Sequence, residues 1–321
     1  MEKNTTTLKD TYKTAYDNYK KGSFKAAETL CYKILSIDPN FVQSKLLLAN
    51  ISAKNKDFIK TKKLLGEVIE AQPENLSALN NLGTVCKELG EIKNAISYHK
   101  KAIQINPNNA NAYYNLGAIS YDSRQLKEAK AYLEKTTELQ PDFALPFFVL
   151  GNLYADLKLY EKAISNYQQA IKINYNLVSA HNNLGLVFRN INDFKNAVSS
   201  YEKAIAIKKN YVNAHNNLAL VLKDLGNFEG AIQSYENAIK YEPENLVNYF
   251  YLSNLKKDIL NADLKNKIEK IIEKNNSKKI NITYGNFLLS KYEQKVKNYE
   301  KELIYLTKGH ASFFETQKNR F

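Results

Sequence analysis

The stretch HNNLGLVFRNINDFKNAVSSYEKAIAI runs from His181 to Ile207, and a close copy, HNNLALVLKDLGNFEGAIQSYENAIKY, begins 34 residues later at His215. In both copies apolar residues recur at spacings of three and four on either side of a short polar break. This spacing is typical of amphipathic helices, so each copy predicts two helices joined by a tight turn. The chain is therefore expected to repeat a helical hairpin.

A period of 34 residues runs through most of the chain and is kept independently by three residue types. Pro39, Pro73, Pro107 and Pro141 lie one period apart, and Pro243 lies three periods further on. Glycine keeps the same step in several first helices, and alanine keeps it in the second helices. Proline stops a helix, and the small residues indicate helices that cross closely. We predict seven units over residues 1–245, namely 8–41, 42–75, 76–109, 110–143, 144–177, 178–211 and 212–245.

The residues that keep the period match the signature of the tetratricopeptide repeat (TPR), in which aromatic, Leu-Gly, alanine and proline positions follow at fixed spacings. Phe147, Leu150, Gly151, Ala163 and Tyr167 fit this signature, and looser versions run through the other units. The chain thus resembles this family over residues 8–245. The resemblance implies an all-α fold, a right-handed superhelical α-solenoid of antiparallel helix pairs, that acts as a scaffold for other proteins.

Residues 246–321 depart from the period and are expected to form a degenerate, TPR-like helical C-terminal cap. A Lys- and Glu-rich helix from Ala262 is followed by a break at 275–279 and then by a further two-helix pattern. Terminal repeats need a covered end. We therefore expect the tail to cover the last repeat through an apolar face made of Phe287, Leu288, Leu303 and Leu306. The tail also resembles the degenerate last units of bacterial TPR-sulfotransferases.

The paired asparagines are expected on the side of the first helix that faces away from its packing residues. At 100° per residue, His181, Leu184 and Gly185 share one face, whereas Asn182 and Asn183 point to the other. The TPR resemblance implies that this other side lines a concave groove. The candidate groove residues are Asn80, Asn81, Lys87, Asn115, Tyr121, Asn152, Asn182, Asn183, Arg189, Asn216, Asn217 and Lys223.

A ladder of asparagines offers a physical means of holding a peptide. A carboxamide has both a donor and an acceptor, which match the C=O and N–H of a peptide bond. The ladder resembles that of the TPR half of O-GlcNAc transferases, which implies an extended peptide held by its backbone in the concave groove. The competing interpretation is that these are solvated residues in an Asn-rich chain. If Asn183 and Asn217 face the groove, replacing both with Ala should keep or slightly raise the folding stability.

A cluster of cations that clamps a terminal carboxylate is a second way for such a groove to bind a peptide. Lys87, Arg189 and Lys223 supply positive charge in one column. Carboxylates sit one residue further along this column and repel such a ligand, at Asp122, Asp156 and Asp224. The sequence therefore disfavours a dedicated carboxylate clamp.

The histidines and cysteines predict neither a catalytic nor a metal site, because all of them fall at packing positions except His310, which lies outside the regular array. His181 and His215 occupy equivalent positions a full repeat apart, so they do not converge on one ion. Cys31 and Cys86 fall in packing columns, and no glycine-rich phosphate loop follows a strand. We expect no enzyme activity and no cofactor for this chain. The alternative is the substrate-recruiting TPR portion of a transferase, of sulfotransferase or O-GlcNAc-transferase type, whose catalytic domain lies outside this chain, in cis or in trans.

The formal charge of +13 raises the question of a nucleic-acid partner. Lysine alternates with glutamate instead of forming a basic stripe, and the Lys-, Asn- and Ile-rich usage is typical of an AT-rich genome. Nucleic acid is therefore disfavoured as a partner. No apolar run is long enough to span a membrane, and two cysteines are too few for a disulfide framework. We expect a bacterial protein in the cytoplasm.

Overall fold

The computed structural model of the chain describes residues 2–274 and 278–317, and within these ranges the regular elements are helices. The predicted all-α class is confirmed. A short 3-10 turn lies at Lys257–Ile259. The α-helices are α1 Glu2–Lys20, α2 Phe24–Ile37, α3 Val42–Lys54, α4 Phe58–Ala71, α5 Leu76–Glu88, α6 Ile92–Ile105, α7 Ala110–Asp122, α8 Leu126–Leu139, α9 Ala144–Asp156, α10 Tyr160–Ile173, α11 Val178–Asn190, α12 Phe194–Ile207, α13 Val212–Asp224, α14 Phe228–Tyr241, α15 Leu246–Leu255, α16 Ala262–Glu273, α17 Lys279–Lys295 and α18 Tyr299–Gln317.

The helices form two compact units, residues 1–153 and residues 154–321. Within each unit, a first helix packs against the second helix of its own hairpin, as α5 does on α6 and α13 on α14. The second helix then packs against the first helix of the following hairpin, as α6 does on α7 and α12 on α13. Each unit is therefore a solenoid of stacked helical hairpins. No helix in the described ranges is long and apolar enough to cross a membrane.

In each of the seven units the first helix is followed by a residue with positive φ, as the break at Asn192 shows. Asn192 has φ of 61°, and the backbone N–H of Asp193 donates to the carbonyl of Phe188 at 2.8 Å. This left-handed residue with a bond back across it is the Schellman ending of an α-helix. Asp193 then starts the next helix, because its Oδ1 accepts from the N–H of Asn196 at 3.2 Å.

The small residues of the repeat sit where two helices of a hairpin meet, as the sequence predicted. A Cβ placed on Gly185 would lie 2.6 Å from Cε1 of Tyr201, and one on Gly83 would lie 2.4 Å from Nε2 of His99. Both distances are shorter than atoms tolerate. The alanines that keep the period in the second helices are fully buried, at Ala27, Ala95, Ala129, Ala163, Ala197 and Ala231.

The tail covers the last repeat through its own first helix α15, which packs on α14 with Leu252 beside Ala231 and Tyr235, and α16 and α17 in turn cover α15. Leu264 and Ile268 of α16 and Leu288 of α17 pack with Leu246 and Tyr249 of α15 in one buried cluster. The predicted role of Leu288 fits this arrangement. Within the predicted break at 275–279, residues 275–277 lie outside the described residues.

The expectation that Leu303 and Leu306 also cover the last repeat is wrong. Leu303 is 66% exposed and Leu306 is 37% exposed. The reason is the side through which α18 packs on α17: a Cβ on Gly309 would lie 2.6 Å from Cε1 of Phe287. With Gly309 and Tyr305 facing the buried side, Leu303 lies about 120° from Gly309 around the helix and faces solvent, whereas Leu306, about 60° away, lies at the edge of the contact.

Candidate functional site

A polar cleft of about 460 Å³ lies in the second unit, between the first helices α11, α13 and α15. We call it the carboxamide cleft, because five side-chain amides line it, from Asn182, Asn183, Asn213, Asn216 and Asn217. Apolar and aromatic side chains complete its walls, chiefly Leu186, Leu220, Tyr235, Val247 and Tyr251. The cleft therefore offers hydrogen-bonding groups and apolar surface side by side.

Three of these asparagines form one hydrogen-bonded network. The amide Nδ2 of Asn217 donates to Oδ1 of Asn182 at 2.9 Å. Nδ2 of Asn182 in turn donates to Oδ1 of Asn183 at 3.0 Å. Asn182 is only 4% exposed, so its amide bonds to Asn183 and Asn217 and does not face solvent. The network fixes the orientation of the Asn183 and Asn217 side chains.

Two polar atoms of the cleft are buried and lack a protein partner. Oδ1 of Asn216 and the hydroxyl of Tyr235 have no hydrogen bond to any described residue. Tyr235 is 1% exposed. Burial without a partner is costly for a polar group, and such groups are rare in native proteins.

The predicted groove residues of the first unit do not belong to this cleft. Nδ2 of Asn80 donates to Oδ1 of Asn109 at 3.3 Å, and Nδ2 of Asn81 donates to Oδ1 of Asn50 at 3.4 Å. Asn115, Tyr121 and Asn152 are half-buried on first helices of the same unit. Asparagines thus also pair with one another there, through longer hydrogen bonds.

The three predicted cations are matched by carboxylates. Lys87 Nζ lies 2.8 Å from an oxygen of Asp122, and Arg189 lies 3.1 Å from an oxygen of Asp224. Lys223 Nζ lies 3.9 Å from the other oxygen of Asp224. In the first two pairs, the cation meets the carboxylate of the following repeat. This pairing leaves little positive charge for a ligand carboxylate and supports the prediction that a clamp is disfavoured.

The histidines serve packing and backbone bonding. Nε2 of His181 lies 2.9 Å from the carbonyl of Tyr175, and Nε2 of His215 lies 2.9 Å from the carbonyl of Lys209. His99 is fully buried, and burial together with the charge of Lys87 lowers its pKa to about 4. Among the described residues, no group of His, Cys, Asp and Glu is arranged to hold a metal ion.

The cysteines are buried, free thiols, and burial raises both pKa values, that of Cys31 to about 11. A thiol is a nucleophile only as its thiolate, so these two are unreactive near neutral pH.

Sequence reasoning missed the aromatic part of the carboxamide cleft. Tyr235 stands in the aromatic position of a second helix and reads as a core residue, yet it lines the cleft. Tyr251 stands one period after Asn217, in the same column as the asparagines. The replacement of asparagine by tyrosine at residue 251 was the feature of the sequence that could have indicated an aromatic wall.

Fold and cleft together define a protein of stacked helical hairpins with a polar cleft between first helices. A family model described as TPR repeat matches residues 83–123, 151–191 and 187–226. Two models described as tetratricopeptide repeat match residues 212–245 and residues 110–143. The chain is a tetratricopeptide repeat protein. Repeats of this kind form protein-interaction scaffolds, and the matched models are of this repeat class.

Solved structures show the same fold. A tetratricopeptide repeat protein from Parabacteroides merdae is 15% identical, with 77% of this chain and 98% of that chain covered and a TM-score of 0.59. Pseudomonas aeruginosa pilF is 17% identical, with coverages of 66% and 97% and a TM-score of 0.60. The APC/C hetero-tetramer Cut9-Hcn1 is 17% identical, with 71% of this chain and 45% of that chain covered and a TM-score of 0.62. At such identities the likeness concerns the fold alone. The resemblances to sulfotransferases and O-GlcNAc transferases, the cytoplasmic location and the absence of a nucleic-acid partner stay predictions.

Proposed function

We propose that this scaffold binds an extended peptide segment of another protein in the carboxamide cleft. The observation that carries the proposal is a pair of buried atoms that have no hydrogen-bond partner among the described residues, Oδ1 of Asn216 and the hydroxyl of Tyr235. A peptide backbone supplies N–H donors and C=O acceptors at regular intervals along an extended chain. It is therefore the polymer whose chemistry best suits a row of amides.

The hydrogen-bonded network supports this proposal through preorganisation. Asn182 holds Asn183 and Asn217 in fixed orientations at 3.0 and 2.9 Å. Side chains that are already ordered lose less conformational entropy when a ligand arrives. The cleft therefore loses little conformational entropy when Asn183 and Asn217 present their amides to a ligand.

The walls of the cleft indicate what the peptide side chains meet. Leu186, Leu220 and Val247 are apolar and half-buried, and they lie beside the amides. An extended peptide alternates its side chains between two faces. One set of side chains would lie on this apolar wall and the other would point to solvent, so the backbone bonds set the affinity and an apolar residue at every second position improves it.

The test uses random 12-residue peptides displayed on phage, selected on the full chain, and then synthesised with a fluorescent label. Affinity is measured by fluorescence anisotropy against the wild type and against Asn216→Ala. We expect the variant to bind at least tenfold more weakly. The Oδ1 atom of Asn216 that it removes makes no hydrogen bond to any described residue in the free protein, so this atom is available to the ligand. The matched control is Asn190→Ala on α11, an exposed asparagine outside the cleft, which should bind as the wild type does. Peptides that bind Asn216→Ala as tightly as they bind the wild type and Asn190→Ala would refute the proposal.

A further inference from the structure

Asn248 departs from the pattern of the column in which it stands. In the second to seventh units the residues one period apart at this position are small and buried, namely Ser44, Ala78, Ala112, Pro146, Ala180 and Ala214, whereas the first unit has the exposed Asp10. The six small residues lie near the start of their first helices. Alanine fills this position in four of the seven preceding units, so the larger, polar and buried side chain of Asn248 calls for another explanation.

The Asn248 amide is buried and unpaired. The residue is 0% exposed, and neither Oδ1 nor Nδ2 makes a hydrogen bond within the described ranges. A buried carboxamide that bonds to nothing destabilises a fold, whereas alanine at the same place would not. The arrangement is costly for folding alone.

Asn248 lines a second cleft, of about 810 Å³, that adjoins the carboxamide cleft. Asn216 and Val247 line both clefts. Two other amides of the second cleft are engaged by the backbone. Oδ1 of Asn245 accepts from the N–H of Val247 at 3.2 Å, and Oδ1 of Asn281 accepts from the N–H of Leu246 at 3.1 Å. Asn248, by contrast, engages neither its donor nor its acceptor with any described residue.

We propose that Asn248 binds one planar amide group of the peptide that occupies the carboxamide cleft, and so fixes the register of that peptide. Its Nδ2 donates to the C=O of the ligand amide, and its Oδ1 accepts from the N–H. The inference rests on the proposed function, because the ligand reaches Asn248 by passing over Asn216. The amide has two sources: a backbone peptide bond, or the side chain of an Asn or Gln residue in the ligand.

The experiment uses labelled peptides selected by phage display on the full chain, with Asn248→Ala and Asn248→Ser as variants. Alanine and serine both occur at this position in other units, so both variants should fold and melt at or above the wild-type temperature. We expect both to bind the peptides at least tenfold more weakly. Binding unchanged in both variants, while Asn216→Ala remains weak, would overturn this inference and leave the proposed function intact. If Asn216→Ala instead binds the peptides as tightly as the wild type does, the proposed function is refuted.

Two sets of modified peptides distinguish the sources of the amide. In one set each backbone N–H is replaced in turn by N-methyl, and in the other each Asn or Gln is replaced by Leu. A single position whose modification weakens binding to the wild type, but not to Asn248→Ala, identifies the group that Asn248 holds. If modification at every position weakens binding to both proteins equally, Asn248 holds no ligand amide.

Discussion

Nδ2 of Asn217 donates to Oδ1 of Asn182 across 2.9 Å, which joins α13 to α11 of the preceding hairpin. The bond turns the asparagine ladder from a row of independent amides into a connected network. Asn182 is 4% exposed and bonds to Asn183 as well. The repeated asparagines therefore contribute to the structure of the solenoid as well as to the surface of the cleft.

This network reverses the stability expected for alanine at Asn217. Asn217→Ala removes the donor and leaves Oδ1 of Asn182 buried without its partner. We expect the free energy of unfolding to fall by about 1–3 kcal/mol, measured by urea titration monitored by circular dichroism. The control is Asn213→Ala, which replaces an exposed asparagine on the same helix and should change the free energy by less than about 0.5 kcal/mol. Equal stability of the two variants would show that the bond is not formed in solution.

A pair of glycines tests the packing of the hairpins. Gly185→Ala places a Cβ 2.6 Å from Cε1 of Tyr201, so we expect a loss of about 1–3 kcal/mol. Gly66 also lies inside a helix, α4, but a Cβ there meets no described atom within 4 Å. Gly66→Ala should therefore raise the stability, by up to about 1 kcal/mol, because alanine is the better helix former. Thermal melts of the two variants should shift in opposite directions, and a shared sign would contradict the assigned contact.

The fold was predictable because its signals are local. The 34-residue period, the break at Asn192 and the small residues at Gly83 and Gly185 each report on neighbours within one hairpin. The bond between Asn182 and Asn217 was not predictable, because it depends on how two first helices from different hairpins align. Likewise the hydroxyl of Tyr235 could not be placed from its aromatic position, which predicts burial of the ring and nothing about the polar tip.

The tail shows a second limit of sequence patterns. Helix α18 carries apolar residues on more than one side, and periodicity does not decide which side packs. Tyr305 is packed against the cluster of α15 to α17, whereas Leu303 is 66% exposed. Gly309 lies one turn after Tyr305 on the same side of α18, and Phe287 of α17 approaches it closely. The side of α18 that packs is therefore the one that carries Tyr305 and Gly309, and the side that carries Leu303 faces solvent.

Matched leucines test this view of the tail. Leu289 is 2% exposed in the cluster that covers the last repeat, so Leu289→Ala should lower the free energy of unfolding by about 2–5 kcal/mol. Leu303→Ala should change it by less than about 0.5 kcal/mol, because the side chain lies mostly in solvent. Chemical denaturation of both variants decides the point. A large loss at Leu303 would mean that α18 is rotated in solution relative to the arrangement described above.

His99 is expected to make the stability of the protein depend on pH. Both ring nitrogens are buried without a partner in the described part of the chain, and burial, with the charge of Lys87, lowers the pKa to about 4. In the unfolded chain the pKa is near 6.5. Between these values the unfolded state binds the proton and the folded state does not, so the free energy of unfolding falls as the pH falls. A shift of this size corresponds to about 3 kcal/mol, present above pH 6.5 and lost by about pH 4.

The matched variant is His99→Leu, because Leu65 and Leu133 occupy the same position in the neighbouring units and are fully buried. Carboxylates and His181, whose pKa is also lowered by burial, contribute their own pH dependence in both proteins. The difference between wild type and variant isolates His99. We expect the variant to be at least as stable as the wild type at pH 7, since leucine leaves no nitrogen unpaired, and its advantage to grow by about 3 kcal/mol on going to pH 4. Urea titrations at half-unit steps of pH measure this difference, and parallel curves for the two proteins would show that His99 is accessible to protons in the folded state.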